Sequence, residues 1–256
     1  MQAIRCIVTD LDNTLLSSEK RISDDTASTL NRCKERGMLL VYATARPERA
    51  VRRFLHAVTP DYIIANNGAT IARGTARLYN RRIAPDVAAS LLTALRDERK
   101  VSLLTVEVGH CLYTNYDGPP WEEDWNIIYH DFQAMPEGDV IKISTECKQV
   151  QIVRGILTNY PELHLYENSG EAWQQVMHSD ATKMNAIQFI AQRESIALSQ
   201  IVAFGDDYND VEMIARCGVG VAVENAIDQA KCAADAVCDS NDRDGVARWL
   251  AANILC

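Results

Sequence analysis

The stretch Ile4-Arg5-Cys6-Ile7-Val8-Thr9-Asp10-Leu11-Asp12-Asn13-Thr14-Leu15-Leu16 constrains the fold more than any other part of this chain. Ile4, Cys6, Ile7 and Val8 form a short apolar run of the kind found in strands covered on both faces of a parallel sheet. The run ends in two carboxylates spaced two apart, followed by a hydroxyl. In open α/β sheets the ligand site lies at the carboxyl ends of the strands. The pattern marks Asp10 as a candidate nucleophile and Asp12 as a candidate proton donor, both helping to hold a divalent metal.

The segments that follow repeat a strand–helix rhythm. Ser23 is suited to cap a helix running to Arg36, with Asp24 and Asp25 in its first turn and Gly37 ending it. Met38–Ala43 reads as a second buried strand, ending in Thr44-Ala45-Arg46. Pro47 suits the first turn of a helix through Phe54 and Leu55. Tyr62–Ala65 reads as a third strand, ending in Asn66-Asn67-Gly68, and Ile71–Tyr79 as a small hairpin turning at Gly74. Strand, helix, strand, helix, strand argues a parallel sheet with helical crossovers.

Between about 82 and 179 the pattern changes. A helix is expected from Pro85 to about Arg99, then strands Val101–Val108 and Cys111–Tyr116 hinged at Gly109. Asp117–Gly138 shows no clean period and reads as irregular or weakly helical. A strand (Val140–Ser144), a helix (about Cys147–Asn159) and strands Leu163–Glu167 and Ala172–His178 complete an antiparallel sheet with helices on one face. From Ala181 the first rhythm resumes. A helix covers Lys183–Arg193, and a strand Ile201–Phe204 leads into Gly205-Asp206-Asp207-Tyr208-Asn209-Asp210. A helix to Cys217, a strand Val219–Val223, a helix from Ala226, a piece around Ala236-Val237 and a last helix from Asp244 follow. The expectation is an α/β protein whose parallel-sheet core, 1–81 and 180–256, is interrupted by an α+β domain at 82–179.

A chain of 256 residues with 47% hydrophobic content can bury a sizeable core. Its net charge of -9 argues against a nucleic-acid or anionic-membrane surface, though a metal and a few cations can still handle a phosphate locally. The eight cysteines show no CxxC pair, and Cys6, Cys33, Cys217 and Cys232 read as small buried thiols within strands or helices. The start, MQAIRCIVTD, lacks a basic region followed by a long apolar stretch, and no run approaches the ~18 apolar residues of a membrane span. The expected setting is the cytoplasm, with no membrane partner.

Polar residues collect at strand ends that should share one edge of the sheet: Asp10, Asp12 and Thr14, then Thr44, then Asp206, Asn209 and Asp210, with Lys183 opening a helix. So many carboxylates repel one another without a cation, and hard oxygen ligands point to Mg²⁺. Asp10 could then attack a phosphorus atom in line. Asp12 could protonate the leaving oxygen and afterwards activate water. Thr44 would offer a hydroxyl to the phosphoryl oxygens and Lys183 a point charge to Asp10 and phosphate. Taken singly, each has a plainer reading: a capped turn for Asp10 and Asp12, a helix cap for Thr44, a solvated helix residue for Lys183. Their order along the chain is what gives them weight.

These segments resemble the four motifs of the haloacid dehalogenase superfamily, and more closely its Cof-type sugar-phosphatase branch. DLDNTLL is similar to that family's DLDGTLL, YATARP to its ATGR segment, the region at Lys183 to its lysine segment, and FGDDYNDVEMI to its GDxxND motif. IIANNGATI resembles the branch's NGA hairpin, and GVGVAVENA and SNDRDGVARWL add further likeness. The resemblance implies a Rossmann-like core with a large inserted α/β cap that closes over the site and chooses the substrate. It implies Mg²⁺-dependent hydrolysis of small phosphorylated metabolites, sugar phosphates first, through an aspartyl-phosphate. It makes Asp10 the nucleophile and a metal ligand, and Asp12 the acid/base, lending its backbone carbonyl to Mg²⁺. Asp206 becomes a metal ligand and Asp210 a carboxylate supporting the metal site. Thr44 and Lys183 bind the phosphoryl group, and Asn209 contacts it or positions Lys183.

Three positions depart from the family's habit. Asn13 stands where Gly is usual, but tolerates a left-handed backbone. Ala45 replaces a Gly after Thr44, and Glu224 a Gly before Asn225. Weaker candidates are His178, as a substrate contact or hinge residue, Trp121 and Trp125, as a sugar-stacking wall or a packing pair, and Arg46, as a substrate or cap contact or an ion pair. Two rival functions stay open: a phosphomutase, which would pass the phosphoryl group to a second hydroxyl, and a phospho-aspartate or metal sensor without turnover. Oligomeric state is not legible.

Overall fold

The computed structural model describes residues 3–118, 126–167 and 172–256, so Trp121 and Trp125 lie outside the described residues. The chain divides into two compact units, Met1–Tyr79 with Thr182–Cys256, and Asn80–Ala181. In chain order the elements are β1 (Cys6–Thr9), α1 (Asp24–Glu35), β2 (Leu39–Ala43), α2 (Glu48–Val51), β3 (Tyr62–Ala65), β4 (Thr70–Arg73) and β5 (Ala76–Asn80). Next come α3 (Pro85–Asp97), β6 (Leu103–Val108), β7 (Cys111–Thr114), β8 (Ile127–Tyr129), β9 (Val140–Glu146), α4 (Val150–Leu157), β10 (Leu163–Glu167) and β11 (Trp173–His178). The chain closes with α5 (Lys183–Arg193), β12 (Ile201–Gly205), α6 (Val211–Arg216), β13 (Val219–Val223), α7 (Asp228–Ala233), β14 (Ala236–Cys238) and α8 (Gly245–Asn253).

In the first unit the strand order is β14-β13-β12-β1-β2-β3-β4-β5. β1 pairs in parallel with β2 on one side and β12 on the other. Its side chains alternate between two apolar layers. Ile7 joins Leu30, Cys33, Leu40, Phe204 and Leu250 on one face, while Cys6 and Val8 join Val41, Met184, Ile187 and Met213 on the other. Each fully buried Leu or Ile of this kind contributes roughly 1.5–3 kcal/mol. Burial on both faces is why these strands read as unbroken apolar runs. The expected parallel α/β core is therefore present, with the hairpin β4–β5 extending its far edge. α1 forms where expected: the Ser23 hydroxyl accepts from the Thr26 N–H at 3.0 Å, and Gly37, at φ +83°, ends it.

The second unit is a six-stranded sheet in the order β10-β11-β9-β6-β7-β8. Leu91 and Leu95 of α3 and Val153 of α4 pack with Leu104, Val106, Ile143 and Val176 of the strands. Three sequence expectations need correction. The stretch 117–138 is not wholly irregular, because β8 pairs in parallel with β7; three residues are too few to show a period. The helix expected from Cys147 starts at Val150, because the Cys147 N–H still donates to the Ala172 carbonyl at 3.0 Å and prolongs the sheet. Pro47 sits just before α2 in extended conformation, and the helix expected through Leu55 gives way to a 3-10 turn over Arg52–Phe54. Among the described residues no helix is long and apolar enough to cross a membrane. All eight cysteines are free; Cys6, Cys33 and Cys217 are buried as expected, but Cys232 is exposed, because it lies on the outer side of the short helix α7.

Candidate active site

The candidate site lies within the first unit, where β1, β2, β3 and β12 end. Asp10 continues β1 by one residue, its N–H donating to the Phe204 carbonyl of β12 at 3.0 Å. The chain then turns through Leu11–Leu15, with Asn13 at φ 58°. Asn13 thus takes the left-handed conformation for which Gly is usual, at little cost for this residue type. The Asn225 side chain donates to its carbonyl at 2.7 Å and fixes the turn from outside.

Lys183 is the first residue of α5, behind Thr182, whose hydroxyl caps the helix by accepting from the Asn185 N–H. A cation at a helix N-terminus opposes the helix dipole, and this one is also buried. Two carboxylates compensate it: Nζ donates to Asp10 Oδ1 at 2.7 Å and to Asp210 Oδ1 at 2.6 Å. Burial disfavours the ammonium, but the charges of Asp10 and Asp210 prevail and hold its pKa above that of an ordinary lysine.

Asp210 folds back across its own loop. Its Oδ2 accepts from the N–H groups of Asp206 and Asp207 at 3.0 and 3.2 Å. A β-carbon on Gly205 would lie 2.4 Å from the Asp210 β-carbon, so glycine is required there for the loop to close. Asp206 accepts from the Thr14 hydroxyl at 2.7 Å, which ties the β12 loop to the β1 loop. Oxygens of Asp10, Asp206 and Asp210 lie within 4.8 Å of one another.

Three clustered carboxylates face one lysine, an excess of negative charge. Burial, and after it the charge of Asp210, pushes Asp206 up to about 7. Burial also raises Asp10, with Asp210 and Asp206 adding to the shift and Lys183 opposing it. A divalent cation would relieve this strain, and the all-oxygen donor set fits a hard one. Since both oxygens of Asp210 already have partners, Asp10 and Asp206 are the better-placed direct ligands.

Asp12 points to a different set of partners. Arg46 grips it with Nε on Oδ2 at 2.6 Å and Nη2 on Oδ1 at 2.8 Å, and Lys20 Nζ adds a bond to Oδ1 at 2.8 Å. Burial raises the Asp12 pKa, but the hydrogen bonds and charge of Arg46, then of Lys20, outweigh it and lower it to about 2. Thr44 is buried, its hydroxyl accepting from the Arg46 N–H at 3.1 Å. Asn209 donates through Nδ2 to Asn67 Oδ1, at 2.7 Å, while Lys183 bonds to Asp10 and Asp210. The structure thus brings Asp10, Lys183, Asp206 and Asp210 into one cluster, with Asp12, Thr44 and Asn209 in adjoining networks.

The remaining sequence candidates lie apart from this cluster or are explained locally. Glu224 is exposed and faces Arg243 at 3.6 Å. Within the second unit, His178 Nδ1 accepts from the Asp180 N–H. Arg46 is an ion-pair residue, the more local of its two readings. Sequence reasoning passed over Lys20 and Asn67 as site residues. Lys20 carries no motif signal, whereas Asn67 stood in the quoted NNGA segment without a role.

A family model described as haloacid dehalogenase-like hydrolase matches residues 7–250. A curated relative from Bacillus subtilis, 5-amino-6-(5-phospho-D-ribitylamino)uracil phosphatase YitU, is 28% identical over 258 residues, covering 95% of this chain and 95% of its own. Among solved structures, a haloacid dehalogenase-like hydrolase from B. subtilis superposes with a TM-score of 0.84 at 24% identity, over 96% of this chain and 99% of the other. The subclass IIB sugar phosphatase BT4131 superposes with a TM-score of 0.81 at 23% identity, over 96% and 97%. The motif residues, the fold and the family match agree: the chain belongs to the haloacid dehalogenase-like hydrolases.

Proposed function

We propose that this protein is a cytoplasmic, Mg²⁺-dependent phosphatase of small phosphorylated metabolites, sugar phosphates foremost, that works through an aspartyl-phosphate at Asp10. The observation that carries this reading is the buried Lys183 ammonium held between Asp10 and Asp210, beside Asp206, at the ends of β1 and β12. A lysine and three acids buried together serve a doubly charged ligand and a cation better than they serve stability. The relatives support the substrate class, since one acts on a phosphorylated ribityl compound and a structural neighbour is a sugar phosphatase.

Mg²⁺ held by Asp10 and Asp206, with Asp210 behind them and the Asp12 carbonyl completing the protein ligands, would supply positive charge to the phosphoryl oxygens. In the first half-reaction an Asp10 oxygen attacks phosphorus while the bond to the leaving oxygen breaks, and Asp12 gives that oxygen its proton. In the second, Asp12 takes a proton from water as the water oxygen attacks phosphorus. The bond to Asp10 breaks, inorganic phosphate leaves, and Asp12 is protonated again. Thr44, Lys183 and Asn209 hold the phosphoryl oxygens throughout. The grip of Arg46 and Lys20 favours ionised Asp12 and suits the second half; the first requires that grip to loosen when substrate enters.

The test is a panel of sugar phosphates and related phosphomonoesters, assayed with Mg²⁺ and with chelator, using Asp10→Asn as the control. Inorganic phosphate should appear only with Mg²⁺ and only from the unaltered protein. Undiminished turnover by Asp10→Asn overturns the nucleophile, metal-independent release overturns the cation, and an isomeric sugar phosphate in place of free phosphate turns the reading to a mutase.

A further inference from the structure

Residues 66–68 connect three of the segments that carry the site. Asn66, Asn67 and Gly68 have φ of 49°, 54° and 103°, three left-handed residues in a row. Asn and Gly are the residue types that adopt this conformation most readily. The turn bends the chain back at the end of β3, and its backbone reaches the β2 loop. The Asn66 N–H donates to the Arg46 carbonyl and the Asn67 N–H to the Thr44 carbonyl, both at 2.9 Å. The Asn67 side chain reaches the β12 loop, its Oδ1 accepting from Asn209 Nδ2 at 2.7 Å. Gly68 abuts the start of α5: a β-carbon there would lie 2.1 Å from the Thr182 carbonyl oxygen and 2.9 Å from the Lys183 nitrogen.

We propose that Asn67 is a positioning residue of the phosphate site, holding the Asn209 amide with its side-chain oxygen and the Thr44 carbonyl with its backbone N–H. The inference rests on the functional reading above. Asn67 is buried and fixed at both ends, so it sets the distance between two phosphate-binding groups that come from different strands. With one N–H of its amide engaged, Asn209 keeps a second to donate to a phosphoryl oxygen, and its rotamer is settled before substrate arrives. Asn67 makes no contact with the reacting atoms; it acts through Asn209 and Thr44.

The clean variant is Asn67→Gly, which keeps a left-handed backbone and removes the amide. In the Mg²⁺-supplemented enzyme, kcat/KM should fall about tenfold and the inhibition constant of inorganic phosphate should rise by a similar factor, the size expected for one lost hydrogen bond to a charged ligand's partner. The melting temperature without phosphate should stay within about 2 °C of the original. Asn209→Ala should give the same losses, and the double variant should be no worse than either single one. Unchanged kinetics in Asn67→Gly, or losses that multiply in the double variant, overturn the proposal. Should Asn67→Gly melt early, Asn67→Asp takes its place, since it keeps an acceptor. In that background Asn209→Ala should still cost about tenfold, and no cost overturns the proposal. If the unaltered protein releases phosphate from no substrate, the functional reading fails separately. Calorimetric binding of inorganic phosphate then tests Asn67 by the same comparison.

Discussion

Arg46 closes on Asp12 as a two-pronged clamp, Nε to Oδ2 and Nη2 to Oδ1, bringing together residues from the loops after β2 and β1. Paired contact of this kind fixes the plane of a carboxylate as well as its charge. The guanidinium is itself steadied over the Phe54 ring, 5.5 Å from its centroid. Arg46→Ala should lower kcat about ten- to hundredfold while moving KM less, through the second half-reaction, in which Asp12 acts as the ionised base. Arg46→Lys should recover only a fraction, because an ammonium cannot bind both oxygens in one plane. Steady-state kinetics on the best substrate decides; an Arg46→Lys enzyme with full activity would show that charge alone is needed.

Lys183 invites a stability measurement as well as a kinetic one. Lys183→Met keeps the length of the side chain but leaves Asp10 and Asp210 buried beside each other without their cation. Breaking a buried ion pair from one side costs about 3–5 kcal/mol. Denaturant unfolding in chelator should show that loss, and Mg²⁺ should return part of it. Phosphate release should fall by at least about a thousandfold. A variant as stable as the original would mean that the Lys183 ion pairs contribute nothing net to the metal-free protein.

Gly205→Ala tests the fold-back of Asp210. The new methyl group would meet the Asp210 side chain at 2.4 Å, so the carboxylate must leave the N–H groups of Asp206 and Asp207 or the loop must shift. Destabilisation of about 1–3 kcal/mol is expected from overpacking. Mg²⁺ affinity should weaken about 10- to 100-fold, because the supporting carboxylate no longer orients the ligands. Titration calorimetry of the variant against the original gives the second number; unaltered metal affinity would exclude Asp210 as a support.

The elevated Asp206 carboxyl sets a pH dependence for the metal-free protein. Its pKa rises from the usual 3.8 to about 7 on folding, through burial first and the Asp210 charge second. Over that window the folded state holds a proton that the unfolded state has lost. This contribution to stability is therefore complete below about pH 4 and disappears as pH rises through 7. In chelator the melting temperature should fall between pH 5 and pH 8. Mg²⁺ should raise it more at pH 8, where no proton competes for the ligand. Equal increments from Mg²⁺ at both values would contradict the assignment of Asp206 as a ligand.

What could be read beforehand followed from how each signal is stored in the chain. Strands β1, β2, β3 and β12 are buried on both faces, so each shows as an apolar run, and its polar terminus stands out against it. Asp10, Thr44 and Asp206 were visible for that reason. Lys183 was legible only in conjunction with the acids at the strand ends, since a lysine opening a helix is ordinary until its two acid partners are known. The Arg46–Asp12 clamp depends on β1 and β2 being neighbours and on the rotation of a loop around Asn13, neither of which leaves a local pattern. Asn67 was hidden more deeply, because its side-chain bond to Asn209 spans two loops 142 positions apart and leaves no local pattern. β8 escaped because three residues cannot display a period.

The position of β1 in its sheet carries a consequence for the making of the protein. β1 lies between β2 and β12, and the β12 partners, residues 201–205, are synthesised long after residues 6–9. A nascent chain that has not yet delivered β12 holds β1 with one hydrogen-bonding edge open and the apolar layer around Ile7 and Phe204 incomplete. Asp10 then lacks the 206–210 loop, which follows β12 in the chain. Emerging chains of this kind are prone to pair edge to edge and would be natural clients for chaperones. On the proposed mechanism, phosphate release must then await the synthesis of the 206–210 loop.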